Sequence, residues 1–275
     1  ADIKKETLAL DPEKLRKQIS NKTKAVILVH IAGNIQKDIE DVQNICKASG
    51  IILIEDSCRA LGAKKDGKLA GNFGDISCFS FYAAKQLSTG NGGMLTTNDT
   101  SISQKAKILR EHGRNRKASG EYDYNEIGHN MILDEFGAIL GLSQLSIIED
   151  FIAERIKIAS LYNNAISDIN YLEKAIEFDK QQGYRNSYYR YPILVSNDVD
   201  PAHFEEHMNR NGVQLGHYYP MIHETNVYGN KTGLIQCDEM EIASIISRRL
   251  FSLPIFNSMT SNQVGEVIQS LIDYR

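Results

Sequence analysis

The stretch FSFYAAKQLSTGNGGMLTT, residues 79–97, decides the fold of this chain. It places a hydroxyl group at Ser80 and an amine at Lys85, ahead of a glycine-rich turn, between two segments typical of strands. Upstream, the apolar segment IILIED ends in Asp56. Such short apolar runs are typical of strands buried in a parallel sheet. We therefore expect Asp56 and Lys85 to follow successive strands of one sheet, at the carboxyl ends where α/β proteins bind ligands.

This acid and this lysine suit one kind of cofactor chemistry. A lysine amine can condense with the aldehyde of pyridoxal phosphate to form a Schiff base, which is covalent catalysis by an activated amine. A carboxylate can hold the pyridine nitrogen of the same cofactor protonated, so that the ring accepts electrons. Lys85 and Asp56 are the candidates for these two roles. Glu55 is the less suitable acid, because successive residues of a strand point to opposite faces.

Five segments carry a resemblance that runs from Asp2 to the end of the chain. They are VILVHIAGN (26–34), IEDSCRALGA (54–63), GNFGDISCFSFYAAK (71–85), IGHNMILDEFGAILGLSQL (127–145) and FSLPIF (251–256). In this order they resemble the DegT/DnrJ/EryC1/StrS family of pyridoxal-phosphate-dependent sugar aminotransferases. The resemblance implies a fold-type I α/β architecture, with a mostly parallel large-domain sheet and a small α+β C-terminal domain. We expect the large domain at residues 1–150, and the linking helix and small domain at residues 151–275.

The sequence departs from the family pattern at three places. Arg59 stands where relatives usually have Gln or His, and Ile132 stands where they usually have Arg. The opening residues ADIKKETLALDPEKL resemble a point inside the family's large domain, so the large domain is expected to be N-terminally incomplete, without the family's Ser-Gly-Thr phosphate-binding turn. Three explanations of this start remain open. The chain is a fragment of a longer enzyme, the sequence omits some residues, or the chain is a shortened homologue with another role. These alternatives differ in whether the chain as given is active.

The resemblance implies roles for nine residues. Lys85 is the expected catalytic residue, and the expected cofactor-binding residues are Asp56, Arg59, Ser80 and Asn130. Asn130 would reach the cofactor phosphate from the neighbouring subunit. The expected substrate-binding residues are Tyr82, His217, Tyr218 and His223. From the residues alone each has a structural alternative, such as a surface lysine, a capping aspartate, a tight turn or a packed aromatic ring, and Arg59 could instead pair with an acid.

The activity that the resemblance implies is transfer of an amino group. The donor would be an amino acid, glutamate in the family, and the acceptor a nucleotide-linked keto sugar, in a homodimer with pyridoxal phosphate. A sugar dehydratase using the same cofactor is one alternative, but such relatives replace the lysine with histidine, and Lys85 opposes it. A non-catalytic homologue acting as a regulatory or partner-binding protein is another. Ile132 and the missing segment favour it, and the presence of Asp56, Ser80 and Lys85 opposes it.

Composition narrows the classes of protein to which this chain can belong. The chain has 275 residues, of which 42% are hydrophobic, so it can bury a substantial core in one or two domains. Its net charge of −4 argues against a general nucleic-acid binder. No apolar run is long enough to cross a bilayer, and the first residues lack the apolar core and cleavage site of a signal peptide. A cytoplasmic protein that does not bind membranes is the prediction.

Disulfide and metal sites are not expected. The chain has four cysteines, Cys46, Cys58, Cys78 and Cys237. They are widely spaced and form no CxxC pair. The segment HFEEH fits part of a zinc-peptidase pattern through His203 and His207. No third ligand is apparent, so we expect two surface histidines on an amphipathic helix.

Periodicity predicts further elements. A helix should begin at Asp11 and Pro12, AVILVH should form a strand buried on both faces, and IEDVQNICKASG should form a helix ending at Gly50. A helix from Asp134 could continue to Tyr162. Later strands are expected in YYRYPILV, VQLGHYYP and RRLFSLPIF, later helices in PAHFEEHMNRNG and SNQVGEVIQSLIDYR, and a mobile loop at residues 226–240.

Overall fold

Strands and helices alternate through the first half of the chain, as the sequence predicts. The computed structural model describes residues 1–176, 183–228 and 240–274. The helices in these residues are α1 (Pro12–Gln18), α2 (Ile39–Ser49), α3 (Thr100–Arg110), α4 (Glu135–Leu145), α5 (Ile148–Ile166), α6 (Pro201–Arg210), α7 (Glu241–Ser247) and α8 (Ser261–Ile272). The strands are β1 (Ala25–Val29), β2 (Ile52–Asp56), β3 (Lys64–Lys65), β4 (Lys68–Leu69), β5 (Ile76–Ser80), β6 (Gly93–Thr96), β7 (Arg114–Arg116), β8 (Tyr122–Tyr124), β9 (Leu172–Lys174), β10 (Tyr184–Arg185), β11 (Tyr191–Val195), β12 (Gly216–His217) and β13 (Leu250–Leu253).

The first sheet has the strand order β1-β2-β5-β6. β1, β2 and β5 run parallel, and β6 runs antiparallel to β5. Asp56, at the end of β2, lies opposite Val29 of β1 and Cys78 of β5. Ser80 ends β5 two residues after Cys78. Parallel pairing therefore brings Asp56 and Ser80 to the same edge of a mostly parallel sheet.

Helices α1 and α2 cover one face of this sheet. Asp11 caps α1 by accepting a hydrogen bond from the Glu13 amide at 2.8 Å, and Gly50 ends α2 with a φ of 64°. The start of α1 and the end of α2 lie where the sequence predicts them. A carboxylate can accept hydrogen bonds from the free amides of a first turn, and glycine adopts positive φ at little cost. The buried cluster beneath the helices consists of Leu15, Val26, Leu28, Ile35, Ile39, Val42, Ile45, Cys46, Ile51, Leu53, Ala60, Ala63, Ala70 and Phe73.

The opposite face of the sheet is open in the described part of the chain. Ile27 is 65% exposed, Val29 43% and Ile52 42%. Alternation along β2 places Asp56 on the same face as Ile52. The prediction that AVILVH is buried on both faces is therefore wrong, because α1 and α2 cover only the face that carries Val26 and Leu28.

Glu55 points to the covered face and forms a buried pair with His30. Both side chains are fully buried, and His30 Nε2 lies 2.8 Å from Glu55 Oε2. The carboxylate also accepts hydrogen bonds from the amides of Gly71 (2.8 Å), Phe73 (2.6 Å) and Gly74. Burial alone would raise the pKa of this carboxyl group, but the hydrogen bonds from His30 and the amides outweigh it, so the pKa of Glu55 is lowered. Glu55 thus ties the following turn to β2.

The second large sheet is antiparallel, with the order β12-β13-β11-β9. Helices α5, α6 and α8 pack on it, and the two large sheets have separate cores. The C-terminal core consists of Ile158, Ala159, Tyr162, Ile166, Leu172, Tyr188, Tyr191, Ile193, Val195, Phe204, Met208, Val213, Leu215, Phe251, Leu253, Val264, Val267 and Leu271. A small sheet of β10, β3 and β4 and a hairpin of β7 and β8 complete the described strands. A domain boundary near residue 150 stays a prediction.

The long helix expected from Asp134 is two helices. α4 and α5 meet at an angle of 58°, with the break at Ser146 and Ile147. Ile147 has φ −119° and ψ 12°, which are not helical values. The expectation of one helix to Tyr162 is therefore wrong, because periodicity persists across a break that only backbone geometry shows.

Two predicted strands are shorter than expected. The strand in YYRYPILV begins at Tyr191, because Tyr188 has a left-handed φ of 46° that no strand accommodates. The strand in VQLGHYYP shrinks to β12, whose two residues are the ones paired with β13. Both shortened segments leave tyrosines outside the sheet.

The remaining sequence predictions concern a loop and membrane-spanning helices. Most of the expected loop at residues 226–240, with Cys237, lies outside the described residues. Within the residues that the structure describes, no single helix is long and apolar enough to cross a membrane. The bent pair of α4 and α5 meets that criterion jointly, by length and composition alone.

We expect Glu55→Gln to lower the free energy of unfolding at neutral pH by about 3 kcal/mol, because it leaves buried donors without an anionic acceptor. The folded pKa of Glu55 is lowered, so its contribution is present above the pKa of an unfolded glutamate, about 4.3, and is lost as the pH falls through the folded value. The gap between wild type and variant should therefore narrow in acid. Urea unfolding across a pH series measures it. The control is Glu13→Gln on the surface of α1, and equal losses in both variants would contradict the prediction.

Candidate active site

Lys85 lies in a loop that closes on itself between β5 and β6. The Lys85 amide donates to the Tyr82 carbonyl at 2.9 Å, and the Tyr82 amide donates to Ser80 Oγ at 3.3 Å. The Thr89 amide donates to the Phe81 carbonyl at 2.9 Å, which joins the two sides of the loop. The backbone around Lys85 is thus a set of tight turns, and the Ser80 hydroxyl caps the first of them.

Two side chains anchor this loop to other parts of the fold. The buried Gln86 donates through Nε2 to the Ser187 carbonyl. Gln144 of α4 exchanges two hydrogen bonds with the backbone of Ser88, at 3.0 and 2.6 Å. The loop is therefore anchored directly after Lys85.

Close packing requires a glycine at one position of the glycine-rich turn. A Cβ atom on Gly93 would lie 2.7 Å from the Phe79 carbonyl oxygen, closer than real Cβ atoms approach. Gly93 pairs with Ser80 across β5 and β6. The glycine therefore lets the two strands approach at the point where the loop leaves the sheet.

Asp56 holds the turn that follows β2. Its Oδ1 accepts from the Cys58 amide at 3.0 Å. Burial, together with the neighbouring Asp56 carboxylate, raises the pKa of Cys58 to about 12. The Cys58 thiol is therefore protonated at neutral pH and is unsuited to act as a nucleophile.

Lys85 is half-buried, and its electrostatic surroundings favour the neutral amine. Burial lowers the pKa of Lys85, and the positive charge of Arg59 lowers it further, while Asp56 acts in the opposite direction. The Lys85 ammonium Nζ lies 4.8 Å from the centroid of the Tyr189 ring. The charge of Asp56 acts on this amine, so the two residues lie close enough to interact. A lysine in such surroundings is a better nucleophile than one on the surface.

Tyr189 and Tyr219 belong to the same site, and sequence reasoning did not find them. The Arg59 guanidinium carbon lies 5.6 Å from the centroid of the Tyr189 ring and 5.0 Å from that of Tyr219. The available signals were the two aromatic runs SYYRY and GHYYP, which the periodicity assigned to strands. Within the described residues Arg59 forms no ion pair with an acid, so the alternative of an acid partner has no support there.

The fold holds Tyr189 in place through its neighbours. The buried Arg155 of α5 donates from Nη1 to the carbonyls of Tyr188 at 3.1 Å and Tyr189 at 3.5 Å. The Ser187 amide donates to the Gly33 carbonyl at 2.9 Å. A Cβ atom on Gly33, which has a φ of 97°, would lie 2.8 Å from the Tyr189 amide nitrogen. The C-terminal region therefore contributes an aromatic ring to a site built on the first sheet.

Three further residues predicted to bind substrate differ in how they relate to Lys85 and its neighbours. Tyr82 is 55% exposed and contributes its backbone to the loop. Tyr218 packs its ring against Arg190, whose guanidinium carbon is 5.2 Å from the ring centroid. His217 is turned to Glu205 of α6, with Nε2 2.8 Å from Oε1. The charge of Arg59 acts on Tyr218, whereas the side chain of His217 contacts Glu205.

Two further predicted residues make no described contact with Lys85. Asn130 is exposed and forms an isolated β-bridge with Glu111, beside the end of α3. His223 is half-buried in a short 3₁₀ helix, Ile222–Glu224. The role of Asn130 across a subunit interface stays a prediction.

The histidines of HFEEH make structural contacts. His203 Nδ1 lies 3.0 Å from the Tyr274 hydroxyl, and His207 Nε2 lies 2.8 Å from the Ser270 carbonyl. Both contacts join α6 to the C-terminal end of α8 and the residues after it. In the described ranges, no three or more side chains of His, Cys, Asp and Glu are grouped to hold a metal ion.

The residues at the sheet edge fit pyridoxal phosphate. Lys85 offers an amine with a lowered pKa, in contact with a tyrosine ring rather than paired with a described acid. Asp56 offers a carboxylate at the same edge, and Ser80 a hydroxyl beside a loop of backbone amides. These are the groups needed for the aldehyde, the pyridine nitrogen and the phosphate of the cofactor.

Comparison with known proteins identifies the family and its cofactor. The model of the DegT/DnrJ/EryC1/StrS aminotransferase family matches residues 1–272. The uncharacterized protein MJ1066 of Methanocaldococcus jannaschii is 31% identical over 98% of this chain and 72% of its own length. GDP-perosamine synthase of Escherichia coli O157:H7 is 28% identical over 99% of this chain and 71% of its own length.

A solved structure shows the same fold. Helicobacter pylori PseC, an aminotransferase involved in the biosynthesis of pseudoaminic acid, superposes with a TM-score of 0.90 at 28% identity. The match covers 99% of this chain and 72% of PseC. The fold is thus that of the fold-type I aminotransferases, as expected. From its motifs, its fold and its relatives, the chain belongs to the DegT/DnrJ/EryC1/StrS aminotransferase family, whose enzymes aminate sugars with pyridoxal phosphate as cofactor.

Proposed function

We propose that this enzyme transfers an amino group from glutamate to a nucleotide-linked keto sugar. The observation that carries the proposal is the half-buried Lys85, with its lowered pKa, at the same sheet edge as Asp56. The relatives support the sugar acceptor, because one is a GDP-perosamine synthase and another, from Helicobacter pylori, is a UDP-4-amino-4,6-dideoxy-N-acetyl-beta-L-altrosamine transaminase. In this reaction the donor becomes a 2-oxo acid, and the sugar carbonyl carbon becomes the carbon that bears the amino group.

Each residue has a distinct part in this proposal. Bound pyridoxal phosphate supplies an aldehyde that accepts the amino group and a ring that withdraws electrons. Lys85 holds the cofactor through Nζ and then uses the same amine to move a proton from the donor α-carbon. Asp56 keeps the pyridine nitrogen protonated, and Ser80 with the loop amides binds the phosphate. Tyr82 and His223 are proposed to contact the sugar nucleotide, and His217 through its backbone.

We further propose a cytoplasmic homodimer. Helix α4 supports the dimer, because it is apolar around its circumference and largely uncovered. Phe136 is 87% exposed, Leu142 67% and Ile139 65%. A helix that is apolar on all sides is normally buried, and exposed apolar patches of this kind mark protein interfaces. The dimer would also bring a second Asn130 toward the cofactor, as the family resemblance implies.

Reduction of the cofactor-loaded protein with borohydride should attach the cofactor to Lys85 alone, because this amine is more nucleophilic than the surface lysines. Peptide mapping by mass spectrometry locates the label. Lys85→Ala should lose it, whereas Lys47→Ala, a change at an exposed lysine of α2, should keep it. Scattered labelling in the wild type would reject Lys85 as the cofactor residue and favour a non-catalytic homologue.

The Lys85 amine should lose its proton at a lower pH than an exposed lysine. Burial and the Arg59 charge lower its pKa, against smaller opposing effects of Cys58, Asp56 and Tyr219. Arg59→Gln removes a positive charge, so the pKa of Lys85 should rise and its reactivity profile should move to higher pH. Competitive acetylation across a pH series, read by mass spectrometry, measures both profiles.

The exposed Lys47 serves as the internal reference in that experiment. A profile for Lys85 that coincides with the Lys47 profile would contradict the lowered pKa. A profile that stays in place in Arg59→Gln would show that Arg59 does not act on the amine.

Leu142→Lys should weaken the proposed dimer at least tenfold, because it places a charge in the apolar surface of α4. Sedimentation equilibrium of the wild type should give about twice the chain mass of 30.9 kDa. The matched control is Leu161→Lys, a change at an isolated exposed leucine of α5. A monomeric wild type, or equal effects of the two changes, would refute the role of α4.

A further inference from the structure

The segment that carries Tyr189 lies directly against the loop of Lys85. Its Ser187 carbonyl accepts a hydrogen bond from the buried Gln86, the residue after Lys85. Two residues further on, the centroid of the Tyr189 ring lies 4.8 Å from Lys85 Nζ. The conformation of Tyr188, between these two contacts, therefore decides whether the ring faces the amine.

Tyr188 has a left-handed backbone, with a φ of 46°. A residue with a side chain rarely adopts such a φ, which persists only where contacts fix it. The buried Tyr188 ring belongs to the C-terminal core, where its centroid lies 6.3 Å from that of the Tyr191 ring. The Tyr188 carbonyl accepts a hydrogen bond from Arg155 Nη1 at 3.1 Å. These contacts hold the ring and the carbonyl of Tyr188, which leaves its amide to be fixed.

Asn186 supplies the acceptor for that amide. Its Oδ1 accepts a hydrogen bond from the Tyr188 amide at 2.6 Å, which is the contact that asparagine makes in turns with the backbone two residues later. The other end of the carboxamide, Nδ2, is buried, and the described residues give it no hydrogen-bond partner. Buried donors are almost always paired, so this exception lowers stability. Asn186 therefore holds the turn at Tyr188 at a cost in stability, as is typical of segments that fix a functional group.

We propose that Asn186 is a positioning residue for Lys85. By fixing the left-handed turn at Tyr188, it holds the Tyr189 ring against the Lys85 amine. The ring lies over Nζ and so covers one side of the amine from water. The inference rests on the proposed function, because it gives Asn186 a part in preparing the amine that the cofactor would meet.

The effect of the ring on the amine differs from the effects of nearby charges. Burial is the largest cause of the lowered pKa of Lys85. The charged and titratable groups that also act on the amine are Arg59, Cys58, Asp56 and Tyr219. None of them belongs to the segment that Asn186 fixes, so release of that segment should act mainly by admitting water. Water favours the charged amine, and loss of the ring face opposes it, but burial is the largest influence, so the pKa of Lys85 should rise.

Competitive acetylation of the cofactor-free chain across a pH series, with Lys47 as internal reference, tests the inference. Asn186→Ala should move the Lys85 profile to higher pH by about half a unit. The initial rate of cofactor attachment at neutral pH should then fall about threefold, because fewer of the amines are neutral. Asn186→Ser, whose hydroxyl can make the same contact more weakly, should show a smaller shift of the same sign, and it keeps the test decisive if Asn186→Ala does not fold. An unmoved profile overturns the inference.

A double-variant cycle shows whether Asn186 acts through the ring. Tyr189→Ala should itself move the Lys85 profile to higher pH. Adding Asn186→Ala to that variant should move the profile no further, because both changes remove the same effect, and additive shifts would overturn the positioning role. The control is Tyr191→Phe, which removes a 2.8 Å hydrogen bond to Asn163 in the same core and should leave the profile in place. An equal shift in the control would mean that lost stability alone moves the profile, which also overturns the inference.

Failure of the inference and failure of the proposed function give different results. The acetylation profiles need no cofactor. With Lys85 labelled by borohydride in the wild type, an unmoved profile in Asn186→Ala overturns the positioning role alone. Without labelling of Lys85, the aminotransferase proposal fails, and the part that Asn186 would play in it is rejected with it.

Discussion

The parallel pairing of β2 with β5 is the constraint on which the site depends. Asp56 lies opposite Cys78, and Ser80 ends the same strand two residues later. Because parallel strands end at one edge, a carboxylate and a hydroxyl that are 24 residues apart in the sequence become neighbours. Antiparallel β6 then returns the chain to this edge, so the loop that carries Lys85 is held at both of its ends. A change in that register would separate Asp56 from both Ser80 and Lys85.

The two acids at the end of β2 show how one strand serves two purposes. Glu55 faces the covered side, where His30 and three backbone amides stabilise its charge. Asp56 faces the open side, where its charge acts on Lys85. The first acid stabilises the fold and the second is the one proposed for the cofactor, and the direction of the side chain distinguishes them.

The C-terminal region brings Tyr189 to the site through a strained segment. Gln86 is bonded to Ser187, Arg155 to the carbonyls of Tyr188 and Tyr189, and the φ of Tyr188 is positive. A left-handed tyrosine is unfavourable and persists only where surrounding contacts fix it. Here those contacts turn the next residue, Tyr189, toward Lys85 and Arg59. The electrostatic balance at the amine therefore depends on both halves of the chain.

The sequence by itself determined the fold class, the start of α1 and the end of α2, and it singled out Asp56 and Lys85, whose roles stay predictions. These follow from local information, because caps, apolar runs and spacing act over a few residues. Only the tertiary structure decided where Ile147 breaks the long helix, which sheet face stays open, and that Tyr189 and Tyr219 join the site. The aromatic runs that carry the two tyrosines have the pattern of strands. Their role comes from contacts with residues more than a hundred positions away, which no local pattern records.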